Sequence, residues 1–185
     1  MRQRMAARSE LVALAFALLV SLGLPSCSGR DERVYVPADY ATWGKTTDLP
    51  LDYPIPGHED RFRLIYMNDR GFGFESAMET GRPRIEFPVG TIIAKEMYPG
   101  PLAEPGQKPV MVTAMIKEPS HPKAKAGWLW VMKDLGSGKE TLVEGGFCVN
   151  CHDGANEAHP YGDRNPEKAF RDYVFFAPTR GPIRD

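Results

Sequence analysis

Thr91-Ile92-Ile93-Ala94-Lys95-Glu96-Met97-Tyr98 begins after Pro88-Val89-Gly90 and stops at Pro99-Gly100-Pro101. A run rich in β-branched and aromatic residues between turn formers reads as a strand. Side chains alternate across a strand, so Ile93, Lys95 and Met97 share one face and Ile92, Ala94 and Glu96 the other. A lysine between two apolar neighbours on its face either reaches water at an edge or is aimed at a special partner. Residues 61–67 (RFRLIYM), 110–117 (VMVTAMIK) and 127–133 (GWLWVMK) have the same character, each bounded by Pro, Gly, Asn or Asp. Residues 173–177 (YVFFA) add a fifth run before Pro178. Short helices are expected at three places. Residues 74–80 (FESAMET) end at Gly81 and Pro83; residues 165–172 open with Asn165 as cap and Pro166 at the first position; residues 37–44 put Tyr40 and Trp43 on one face. Five strands with short connections and few helices predict an α+β fold, predominantly an antiparallel sheet.

The 185 residues suit one ordinary domain. Gly 18 and Pro 17 punctuate the chain too densely for a coiled coil or a plain helical bundle. A net charge of −1, with both signs interspersed, gives no electrostatic case for nucleic-acid binding. Three cysteines, at 27, 148 and 151, are too few for a disulfide scaffold.

Residues 1–10 carry Arg2, Arg4 and Arg8 against Glu10, and residues 11–24 (LVALAFALLVSLGL) are apolar without a charge. This is the form of a secretory signal, and the apolar run is short for a membrane span. Leu24-Pro25-Ser26-Cys27 resembles a bacterial lipobox, which makes Cys27 the expected lipidation site; ordinary cleavage leaving a free thiol is the alternative. The expected organisation is a signal peptide over residues 1–26, a Pro-rich segment over 27–60 and the main domain over 61–185. The expected product is an exported, periplasmic protein anchored by lipid. The first 26 residues carry +2, so the remaining 159 carry −3.

Cys148-Val149-Asn150-Cys151-His152 has the C-x-x-C-H spacing of covalent haem c attachment. Two cysteines three apart lie on one side of a helical turn and reach two vinyl groups of one porphyrin. The next residue, His152, then supplies an axial imidazole to the iron. A thioredoxin-type pair would instead follow a strand and open a long helix, whereas Gly145-Gly146 precede this motif and Gly154 follows it. A zinc site needs two further ligands, of which His159 is one candidate. His58 and His121 lie in Pro/Gly loops and read as solvated; His159, seven residues after His152, is expected near the proximal side. The methionines that follow the signal all precede residue 152, and five of them fall in expected strands, where packing is the default. No downstream methionine is available as a sixth ligand.

Several features run in a recognisable order. They are Tyr40-x-x-Trp43, Leu64-Ile65-Tyr66-Met67-Asn68-Asp69, Thr80-Gly81, Phe87-Pro88-x-Gly90-Thr91-Ile92-Ile93-Ala94-Lys95-Glu96, Met111-Val112, Met115-Ile116-Lys117, Gly127-Trp128, the late C-x-x-C-H and the terminal run 173–176. This order resembles the cytochrome P-460 family, including the β-type cytochromes c′, over roughly residues 35–178. The resemblance implies a dimeric antiparallel β fold with a five-coordinate haem c. Enzymatic members join a lysine to the porphyrin and oxidise hydroxylamine, with nitric oxide chemistry, passing electrons to a partner cytochrome. The c′-like members lack that bond and bind nitric oxide or carbon monoxide. Lys95 matches the crosslinking lysine by motif. An open iron position asks for a pocket: Phe62, Phe74 and Phe87 are candidates for its apolar wall, with Arg61 or Arg63 and Glu144 as polar groups. A carboxylate there can serve as general base to a bound nitrogen compound. Residues 153–170, with Glu157, His159, Tyr161 and Arg164, have no counterpart in the resemblance.

Overall fold

The computed structural model describes residues 33–47, 49–100, 104 and 106–175. The expected signal, Cys27 and residues 176–177 of the last expected strand lie outside them.

Six strands form one antiparallel sheet: β1 (Gly44–Lys45), β2 (Arg63–Met67), β5 (Ile92–Met97), β6 (Met111–Lys117), β7 (Trp128–Asp134) and β8 (Glu140–Leu142), in the order β1-β2-β5-β6-β7-β8. A separate antiparallel hairpin pairs β3 (Glu75–Glu79) with β4 (Arg82–Glu86). The fold is the β-dominated α+β type that the strand pattern predicts. Its four central strands are the four apolar runs, with ends moved by a residue or two.

Alternation makes the sheet two-faced. On one side Tyr66, Ala94, Val112, Ala114, Ile116, Leu129 and Val131 form a core with Tyr35, Val36 and Tyr40 of the N-terminal segment. That segment is tied down by Glu140, whose carboxylate accepts from the N–H of Tyr35 at 2.6 Å and pairs with Lys133 at 3.0 Å. Buried Glu96 accepts hydrogen bonds from Tyr40 (2.8 Å) and Tyr98 (2.6 Å). On the other side Ile65, Met67, Ile93, Met115, Trp128 and Trp130 pack with Phe87, Val174 and the partly buried Cys148, Val149 and Tyr173. The N-terminal segment thus covers one face and the C-terminal segment the other.

Four sequence expectations are corrected. Residues 74–80 form β3, not a helix, because Thr80 and Gly81 both adopt positive φ (49° and 81°) and make a tight hairpin turn. Arg84 of β4 pairs with Glu79 and Glu86, and its guanidinium lies 4.3 Å from the Phe170 ring centroid; these contacts and the turn outweigh the helix propensity of Glu, Ala and Met in the run. Residues 165–172 make no helix. Arg164, Asn165 and Lys168 are left-handed, and the Asn165 side chain closes a turn, accepting from Ala169 N–H (2.8 Å) and donating to the Ala155 and Ala169 carbonyls. Residues 173–175 form a turn and no strand. At residues 37–44 only a single 3-10 turn forms, Tyr40–Thr42, ahead of β1.

Candidate functional site

After β8 the chain turns at Gly145-Gly146 into one short helix, α1 (Phe147–Asp153). Residues three apart on a helix share a face, so Cys148 and Cys151 stand side by side, and both line the same cavity as the following His152. Neither cysteine is in a disulfide.

His152 is held on several sides. Its ring meets Trp130 of β7 edge-on at 4.9 Å between centroids and Phe175 at 5.4 Å. Its Nδ1–H donates to the Tyr173 carbonyl at 2.8 Å. A carbonyl can only accept, so the proton sits on Nδ1 and Nε2 keeps its lone pair. Burial, then the charge of Lys95, hold its pKa down at about 4. His152 is therefore a neutral imidazole of fixed tautomer, the form a metal requires.

The cavity has a volume of about 410 Å³, within the usual range for a cofactor or small-molecule site. Its floor is the second face of the sheet: Ile65, Ile93, Met97, Met115 and Trp130. Its rim includes Phe147 and the loop 53–59. Gly57 there has φ +76°, and a Cβ on it would lie 3.2 Å from the Phe147 ring, so this close approach requires glycine.

Basic groups converge on this apolar space. Lys95 Nζ lies 2.8 Å from His58 Nε2. Burial, then the charge of Arg63, bring the Lys95 pKa down to about 8. Burial, then Lys95, push His58 to about 3, so His58 is neutral and accepts from the lysine. Its Nδ1 is buried without a hydrogen-bond partner among the described residues. Arg63 is 1% exposed. Its guanidinium donates to the Tyr53 carbonyl (2.7 Å) and the His58 carbonyl (3.4 Å) and lies 5.1 Å from the Tyr53 ring centroid. No carboxylate pairs with it among the described residues. The exposed Glu59 is the single acid lining the described cavity, and its carboxylate accepts from the Gly57 N–H.

Of the residues singled out from the sequence, Cys148, Cys151, His152, Lys95, Arg61 and Arg63 all line this cavity. Phe62, Phe74, Phe87 and Glu144 are placed elsewhere: Phe62 stacks on Tyr98 at 4.2 Å, Phe74 and Phe87 pack together beside Trp128, and exposed Glu144 pairs with Lys123. His58, read as a solvated loop residue, is inside the cavity. His121 does stay in its loop, accepting from the Lys123 N–H. His159 is one ring removed from His152, through Phe175. Methionines 97, 111, 115 and 132 also line the cavity, which sequence order did not indicate.

A model of the cytochrome P460 family matches residues 37–176 of this chain. The chain belongs to the cytochrome P460 family. No curated protein matches it. Membership makes it a haem-binding cytochrome, and the cavity fits that cofactor on its own chemistry. Its walls are apolar, a neutral imidazole offers an Nε2 unengaged among the described residues, and the buried Arg63 and half-buried Lys95 suit a group that carries carboxylates. Among the described residues no three His, Cys, Asp or Glu side chains cluster to hold a bare metal ion.

Proposed function

We propose that this member of the cytochrome P460 family is an exported, monohaem c-type protein that performs redox chemistry on small nitrogen compounds of the hydroxylamine and nitric oxide type. Cys148 and Cys151 would hold the porphyrin as thioethers, and His152 Nε2 would ligate the iron. The observation that carries this reading is the convergence of the C-x-x-C-H helix and the Lys95 amine on one apolar cavity. When bound, the haem supplies a ferric–ferrous couple able to take electrons singly from a ligand.

The chain's own groups do the rest. The Tyr173 carbonyl holds the Nδ1 proton of His152 and strengthens Nε2 as a donor. The sheet face gives the cavity its apolar floor. Lys95, with its pKa drawn down to about 8, has an accessible neutral amine, and it is the residue that answers to the family's porphyrin-linked lysine. His58 Nε2 accepts a hydrogen bond from Nζ and so fixes the position of the amine at the cavity wall. Residues 1–27 support export and a lipid anchor at Cys27; a partner cytochrome takes the electrons, and the resemblance supports a homodimer.

Purified haem-loaded protein and its Lys95→Ala variant, compared by visible spectrum, intact mass and hydroxylamine-dependent reduction of an electron acceptor, test this function. The expected result is a perturbed spectrum and turnover in the wild type, both lost in the variant. Identical, ordinary haem c spectra with no turnover in either would replace it with a gas-binding or electron-carrying c′-like role.

A further inference from the structure

We infer that Asp172 is a positioning residue for the proximal histidine, setting through the Tyr173 carbonyl how strongly His152 donates to a bound iron. This rests on His152 being the iron ligand. Asp172 is 2% exposed, and three donors converge on its carboxylate. Lys117 Nζ lies 2.6 Å from both oxygens, Trp128 Nε1–H donates at 3.2 Å and the Phe87 N–H donates at 3.1 Å. Lys117 and Trp128 face each other directly across β6 and β7, so the sheet offers a prebuilt socket. The adjoining residue, Tyr173, presents the carbonyl that accepts from His152 Nδ1–H at 2.8 Å.

The backbone here is strained in a way that needs holding. Asp172 and Tyr173 have φ of 50° and 68°, left-handed values that non-glycine residues adopt at a cost. Asn156 adds a second clamp, its Oδ1 accepting from the N–H groups of Arg171 (2.8 Å) and Tyr173 (3.3 Å). A turn fixed this fully delivers its carbonyl to one point. Loosening the socket weakens the Nδ1–H···O=C bond, lowers the basicity of the imidazole and favours ferrous over ferric iron.

The test uses haem-loaded wild type, Asp172→Asn and the milder Lys117→Met. A third variant, Tyr40→Phe, removes a buried hydrogen bond on the opposite face of the sheet. Resonance Raman of the ferrous proteins reads the iron–histidine stretch, and redox titration reads the potential. The socket variants are expected to show a lower stretching frequency. Their ferrous-to-ferric ratio, at the wild-type midpoint potential, should rise several-fold. Tyr40→Phe should lower the melting temperature and leave both readouts unchanged. If Asp172→Asn does not accumulate, Lys117→Met carries the same expectation. A stretch and potential equal to wild type in the socket variants overturn the inference alone; a wild type with no iron–histidine band overturns the ligand assignment and this inference with it.

Discussion

His58 remains neutral far below the ordinary histidine range because burial and the neighbouring Lys95 disfavour its charged form. Between pH 6.5 and about 3 the unfolded chain therefore holds a proton at this position that the folded chain does not. Stability is full above pH 6.5 and falls as pH drops through that window. Guanidinium unfolding of the haem-loaded protein at pH 7.5, 6 and 5 should show a falling midpoint. His58→Gln, which keeps an acceptor for Lys95 but cannot titrate, should flatten the decline. Equal slopes for the two proteins would refute this assignment. The sequence shows why residues differ in legibility. Cys148, Cys151 and His152 are contiguous, and spacing alone puts them together. The face of Lys95 follows from alternation. His58 belongs to a loop brought over the sheet by the pairing of Leu51 with Arg63, a long-range event with no local signal. Arg63 is a pocket candidate from the sequence, but its burial is not legible for the same reason, since nothing next to it announces that loop.

Among the elements, the β3–β4 hairpin illustrates a turn overriding propensity. Every residue of β3 is exposed, so apolar packing does little to hold it, and the Thr80-Gly81 turn with the Arg84 contacts carries the hairpin. Gly81→Ala should cost about 1 kcal/mol, because alanine at φ +81° is strained. Hydrogen exchange should show faster amides in residues 75–86 and unchanged protection in the central sheet; uniform loss of protection would contradict a hairpin that opens independently of the sheet. Sequence reading caught the central strands because their apolar alternation is a local property. It missed the hairpin because Glu, Ala and Met favour helix, and it missed β8 because three residues are too few to show a period. Asn165 has the sequence signature of a helix cap but closes a turn, because the same side chain serves both.

At the scale of the molecule, the sheet separates two jobs. One face is sealed by the N-terminal segment into a plain core, and the other holds the cavity and α1 under the C-terminal segment. Leu129, fully buried on the sealed face, should cost about 2–5 kcal/mol as Leu129→Ala, read by chemical denaturation, with the haem spectrum of the folded protein unchanged. A shifted spectrum would mean that the faces are coupled. The central claim is that the C-x-x-C-H helix fastens a haem into this cavity. Its most direct measurement is intact mass under denaturing conditions, on protein matured in a haem c-competent host, for wild type and for the Cys148→Ala/Cys151→Ala double variant. The account expects one covalently retained haem on the wild type and none on the double variant. A wild-type polypeptide at its bare mass, or a haem that survives loss of both cysteines, would contradict it.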